Sequence, residues 1–167
     1  MLANLDVSES VACPLAIDEL QAICNMVLAE EGVTRPCYVS VTIVDDERMR
    51  ELNRTWRQQD RPTDVLSLEC ERPDDPDLAD GEPCELGDIV LAPAYIARQA
   101  ATFGTTANDE FRLLLIHGLL HLLGYDHLQD DEAEAMEARE DALLAQVTTD
   151  RPLRGVSFTR HDEERAQ

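Results

Sequence analysis

Lysine is missing from this chain of 167 residues: all 14 basic side chains are arginines, outnumbered by 35 aspartates and glutamates. The net charge of −21 argues against a general nucleic-acid binder, whose affinity rests on a broad basic footprint. It favours solubility and suits basic partners, with an acidic proteome background as the alternative. Contact with a polyanion would need a local positive field, from a metal ion and a few arginines.

Paired cysteines are lacking too. Cys13, Cys24, Cys37, Cys70 and Cys84 are odd in number and include no C-x-x-C, so they read as reduced, half-buried thiols rather than a disulfide frame or second metal cluster. Met1 to Leu20 has no basic stretch followed by an apolar one, so an export signal is not expected and a cytoplasmic location is. No apolar run reaches the roughly 20 residues that cross a bilayer, and no membrane association is expected. The longest, Leu113 to Leu123, is broken by His117, Gly118 and His121 and reads as a buried core helix. Repeats and low-complexity arrays are absent. The length suits one domain, predicted over residues 1–147, with 148–167 a disordered tail in which His161 is a solvated surface residue.

What is present is an interleaving of strand and helix patterns. Leu5 to Glu9 reads as a short edge strand. Pro14 to Glu31 reads as a helix with Pro14 in its first turn, an apolar stripe of Ala16, Leu20, Ile23, Cys24, Val27 and Leu28, and Gly32 at its end. Cys37 to Val44 alternates as a strand. Asp45 caps a short helix through about Asn53, and polar, turn-like Trp56 to Thr63 leads into a strand at Val65 to Cys70. Glu71 to Glu85, rich in proline and aspartate, reads as a mobile acidic loop. Another strand at Gly87 to Leu91 precedes a helix from Pro93 to Gly104. Thr106 with Asp109 opens the next helix in capping-box fashion. Asp130 to Val147 closes the series, with Met136, Leu143, Leu144 and Val147 inward. The expected fold is α+β: a small mixed four-stranded sheet covered by about five helices, one of them a zincin-like metal helix.

The chemistry concentrates in H-G-L-L-H-L-L-G-Y-D-H, residues 117–127. His117 and His121 share a helix face one turn apart. Gly124 can end that helix in a left-handed conformation, and His127 then meets the first two from the other side. Three imidazoles with a fourth position open suit one catalytic zinc ion. Two core histidines each bonded to backbone are the duller reading, at a cost of roughly 1–3 kcal/mol for each ring left unsatisfied. The spacing matches the long zinc-protease motif H-E-x-x-H-x-x-G-x-x-H, but Gly118 replaces the glutamate base of peptide cleavage. A bound metal can still acidify water to a pKa of roughly 7, and a phosphodiester is the substrate most compatible with these parts.

Taken with L-N-R-T-W-R-Q-Q-D-R-P-T-D-V-L-S-L at 52–68 and L-G-D-I-V at 86–90, the histidine motif resembles the YbeY family of bacterial metallo-endoribonucleases, from about Val39 to Val147. The resemblance implies a zinc-dependent, single-strand-specific endoribonuclease of ribosomal RNA maturation and ribosome quality control. Its implied partners are single-stranded RNA, chiefly ribosomal RNA precursor, and the ribosomal subunit or its proteins. His117, His121 and His127 are the metal ligands it implies, and Arg57 is the residue acting at the RNA phosphate. A guanidinium can grip two phosphate oxygens and stabilise developing charge; a surface salt bridge to Asp60 is the plainer reading of Arg57. Trp56, Leu68 and Glu69 stand where tyrosine, phenylalanine and proline are usual, changes expected to alter packing more than chemistry. Trp56 is read as a core anchor ahead of base stacking. Asp64 is read as a turn and backbone residue. Asp88 stays open between that and orienting a histidine, and Asp126 between coordination and capping. Two rival functions remain: a zinc peptidase, and a non-catalytic ribosome assembly factor in which zinc stabilises the fold.

Overall fold

The computed structural model describes residues 1–126 and 128–147; His127 and the expected tail, 148–167, lie outside the described residues. Among the described residues nine elements follow one another: β1 (Ala3–Glu9), α1 (Ile17–Glu30), β2 (Cys37–Ile43), α2 (Asp46–Arg57), β3 (Val65–Glu69), β4 (Cys84–Leu91), α3 (Pro93–Phe103), α4 (Ala107–Leu122) and α5 (Asp130–Leu144). The strands form one mixed sheet in the order β1-β2-β4-β3. β2 runs parallel to β1 and β4, and β3 runs antiparallel to β4. The α+β fold with four strands and five helices is therefore as expected.

Alternation makes β2 a half-buried strand: Cys37, Val39, Val41 and Ile43 face the main core. β4 is apolar on both faces at Ile89, Val90 and Leu91, because helices cover one side and α2 with Tyr95 part of the other. It begins at Cys84, three residues before the expected start at Gly87. Gly87 belongs to a bulge: Tyr38 pairs with Glu85 and Val39 with Gly87, which leaves Leu86 as the extra residue. Its φ of +140° and a Leu68 carbonyl only 2.2 Å from where a Cβ would sit require glycine there.

α1 starts at Ile17, later than expected, with Pro14 in the preceding turn; Leu20, Ile23, Cys24, Val27 and Leu28 are buried as the stripe requires. Asp45 caps α2 by accepting from the Arg48 N–H at 2.8 Å. α2 outlasts its expected end at Asn53 and closes at Arg57, where Gln58 takes a left-handed conformation without being glycine. Thr106 Oγ1 caps α4, 3.1 Å from the Asp109 N–H. α4 is the central helix, buried on nearly every side from Asp109 to Leu120, and it packs against α1, α3, α5, β3 and β4. Met136, Leu143 and Leu144 of α5 join the core as expected.

The acidic segment 71–85 is tied down at several points. Arg35 donates to the carbonyls of Ala79 and Glu82, and Glu71 and Glu85 bond to one another across its base. All five cysteines are free; Cys24, Cys37 and Cys84 are fully buried, Cys13 is half-buried and Cys70 is exposed. Among the described residues no helix is long and apolar enough to cross a membrane.

Candidate active site

His117 and His121 emerge from the last turns of α4 with their rings edge to face, centroids 4.5 Å apart and planes at 83°. Their Nε2 atoms face each other at 3.1 Å. The outer ring nitrogens are held by acceptors. His121 Nδ1 donates to the Tyr125 carbonyl at 3.0 Å, within a turn that Gly124 makes possible with a φ of +107°. His117 Nδ1 meets the carboxylate of Glu140, a fully buried residue of α5.

A carbonyl only accepts, so His121 Nδ1 carries the proton of its contact with Tyr125, while His117 Nδ1 is paired with the Glu140 carboxyl group. With Nδ1 engaged on the outer side, each ring turns its Nε2 towards the other, an arrangement that a shared cation would suit. Two nitrogens held at roughly 2.0–2.1 Å in a tetrahedral zinc site lie roughly 3.3 Å apart, close to the observed spacing. Anchoring the outer nitrogen on a carboxylate or carbonyl is also the usual support of a metal-binding histidine. The donor pair therefore fits zinc. Among the described residues no group of three or more His, Cys, Asp or Glu side chains gathers as a metal site, and the third predicted ligand, His127, lies outside them.

Both histidines line a cleft of about 170 Å³ shared with Arg57, Val65, Leu66, Ser67 and Glu69. Arg57 reaches it from the end of α2, whose closure is secured in three ways. Gln58 N–H bonds back to the Arg54 carbonyl, Gln59 N–H to the Asn53 carbonyl, and the buried Asn53 side chain donates to the Arg61 carbonyl at 2.8 Å. Asp60, the salt-bridge partner considered for Arg57, is instead gripped by Arg50 through two bonds of 2.8 and 3.1 Å. That guanidinium holds the Asp60 carboxyl below the usual carboxylate range. The Arg57 side chain is exposed and lies on the cleft.

Other expectations resolve differently. Asp64, read as a turn and backbone residue, bonds to backbone and side chains alike: Oδ1 accepts from Val65 N–H at 2.7 Å and from Thr63 Oγ1, and Oδ2 accepts from Gln99, which also donates to Glu110. Asp88 and Asp126 are exposed. Trp56 is no core anchor; the residue is 57% exposed. Glu69 lines the cleft, and its carboxylate pairs with Arg72 at 3.2 Å. Gly118 faces the sheet, where a Cβ would stand 3.0 Å from Ile89 Cγ2 and 3.3 Å from Ser67 Oγ. The position that carries the base in a zinc protease is thus pressed against β3 and β4.

Sequence reasoning missed Glu140. Its signal was positional: it follows Met136 by four residues and precedes Leu143 and Leu144 by three and four, on the stripe that α5 buries.

These features define a class: a small α+β protein in which a buried helix presents two oriented histidines to a cleft faced by one arginine. The chain belongs to the endoribonuclease YbeY family, whose model matches residues 4–148. It is 37% identical to the endoribonuclease YbeY of Paramagnetospirillum magneticum over 163 residues, which cover 91% of this chain and 98% of that one. With the endoribonuclease YbeY of Moorella thermoacetica it shares 47% identity over 137 residues, 78% of this chain and 88% of the relative. A solution structure from Thermotoga maritima superposes with a TM-score of 0.60 at 26% identity, covering 84% of this chain and 86% of the other.

Proposed function

We propose that this chain is a zinc-dependent, single-strand-specific endoribonuclease that acts in the cytoplasm on ribosomal RNA precursors, in ribosome maturation and quality control. The observation that carries the reading is the pair of Nε2 atoms 3.1 Å apart in a cleft that Arg57 also lines. Family membership supports an RNA substrate, and the single copy of zinc would be held by His117, His121 and His127. Zinc bound there would supply Lewis acidity and bring the pKa of water to roughly 7.

The protein's own groups do the rest. Glu140 and the Tyr125 carbonyl hold the two rings so that Nε2, not Nδ1, faces the cleft. Arg57 places two donors against phosphate oxygens, where negative charge grows as the phosphodiester is attacked. The acidic surface repels the rest of the polyanion and suits basic ribosomal proteins as partners. A peptidase is disfavoured by Gly118, whose surroundings leave no room for a glutamate base.

His117→Ala is expected to abolish stoichiometric zinc and RNA cleavage together, and cleavage at the wild-type rate by a zinc-free variant would reject the mechanism. Arg57→Ala is expected to retain zinc and lose 10²-fold or more in rate, on the order of a lost oxyanion donor. Chelation separates an enzyme from an assembly factor stabilised by zinc: removal should leave the domain folded and inactive, whereas a structural ion would take the fold with it.

A further inference from the structure

Met49, Leu52, Asn53 and Trp56 recur every three or four residues along α2 and therefore share a stripe. The first three are covered: Met49 is buried in a small cluster with Leu66 and Val90, Leu52 packs on it, and Asn53 is buried. Trp56 continues the stripe by one turn and stays 57% exposed. The cover ends where the cleft begins, because Leu66 and the next residue, Arg57, both line it. Trp56 is thus an exposed aromatic residue next in sequence to Arg57, which lines the cleft.

The charge around it is the reverse of the whole chain's. Residues 50–61 carry Arg50, Arg54, Arg57 and Arg61 against Glu51 and Asp60 alone, and Arg50 neutralises Asp60. Arg54, Arg57 and Arg61 are all exposed. An open aromatic face beside clustered guanidinium groups is how single-stranded nucleic acid is held: arginines follow the phosphates and the ring receives a base. A base in a duplex has both faces covered by its neighbours, so such a platform accepts unpaired nucleotides and rejects paired ones.

We propose that Trp56 is the stacking platform for an unpaired base of the RNA strand whose phosphate meets Arg57. The inference rests on the reading of the cleft as an RNA-cleaving site, and adds to it the residue that selects single strands. Trp56 is a positioning residue: it holds the strand and leaves the bond-breaking groups to the cleft.

The chain has one tryptophan and three tyrosines, so emission excited to the red of tyrosine absorption reports on this side chain alone. A ten-nucleotide single-stranded RNA added to the zinc-loaded protein should quench that emission saturably, and the same strand annealed to its complement should not. Trp56→Ala should raise KM for the single strand by about 5- to 160-fold, the range for one lost stacked base, with a much smaller change in kcat. Trp56→Phe, which keeps a ring, should recover part of the loss, and thermal melting of both variants should match the wild type. Active wild-type protein with unquenched fluorescence, and a Trp56→Ala variant with unchanged KM, would overturn the stacking role while leaving the nuclease reading intact. Wild-type protein that cleaves no single-stranded RNA would instead overturn the nuclease reading. Emission that responds to a protein partner and not to RNA would assign Trp56 to a different surface and also reject the proposal.

Discussion

His117 and Glu140 are 23 positions apart in sequence and joined inside the core, imidazole Nδ1 to carboxylate, on two different helices. Burying a carboxylate costs several kcal/mol unless it is paired and hydrogen-bonded. Here the partner is the ring that faces the cleft, so α5 belongs to the candidate site as much as α4 does. Removing the negative charge while keeping the shape isolates this effect. Glu140→Gln is expected to stay folded and to bind zinc about 10- to 100-fold more weakly, the usual loss when the support of a metal ligand is changed. Chelator competition measures it. Equal affinity for wild type and variant would reduce Glu140 to a packing residue.

Glu140 also shows what a sequence discloses and what it hides. The convergence of His117 and His121 was legible because two polar rings one turn apart in a leucine-rich helix share a face and both need partners. Glu140 was not, because Glu132, Glu134 and Glu137 precede it in a helix acidic throughout. Only the register of Met136, Leu143 and Leu144 puts it inside. The extent of α2 was hidden for a related reason. T-W-R-Q-Q-D is polar and its stop is Gln58 in a left-handed conformation, where glycine or asparagine is the usual signal. Trp56 lies on the stripe that predicts burial; periodicity gives the direction of a side chain and does not reveal whether anything waits there to cover it.

Gly87 tests the strand pairing beside the cleft. It combines a φ of +140° with a Leu68 carbonyl oxygen 2.2 Å from the place of a Cβ. Backbone strain of about 1–3 kcal/mol and overpacking of about 1–3 kcal/mol act in the same direction. Gly87→Ala is expected to lose about 3 kcal/mol or more of stability in urea unfolding. A loss below about 1 kcal/mol would mean that β3 and β4 can separate locally without cost.

At Gly118 the two effects of a methyl group oppose each other. Alanine gains about 1 kcal/mol of helix propensity over glycine, while the 3.0 Å approach to Ile89 demands a shift worth about 1–3 kcal/mol. Gly118→Ala is therefore expected within about 2 kcal/mol of wild type. Gly118→Glu restores the zinc-protease motif in sequence, yet it drives a carboxylate into the contact between α4 and the sheet. It should destabilise by about 3 kcal/mol or more and gain no proteolysis. Chelator-sensitive digestion of casein by that variant would revive the peptidase reading.

Thiol reactivity tests the burial pattern around the sheet. The thiolate is the reactive form. Burial pushes the Cys24 thiol up to about 12. Cys84 is raised to about 12 as well, by burial first and then by Cys37 beside it. Burial also raises Cys13 and Cys37. At pH 8 a thiol of pKa about 12 is ionised on the order of one part in 10⁴, and Cys24, Cys37 and Cys84 are sealed from solvent besides. Cys70 alone is exposed among the five. An aromatic disulfide reagent should therefore label one thiol quickly in the native protein and all five only in denaturant. Cys70→Ser should remove the fast phase. Fast labelling of Cys37 or Cys84 would show that the sheet opens at β2 and β4 on the labelling timescale. Because Cys70 directly follows Glu69, which lines the cleft, single-stranded RNA should also slow the fast phase, and duplex RNA should leave it unchanged.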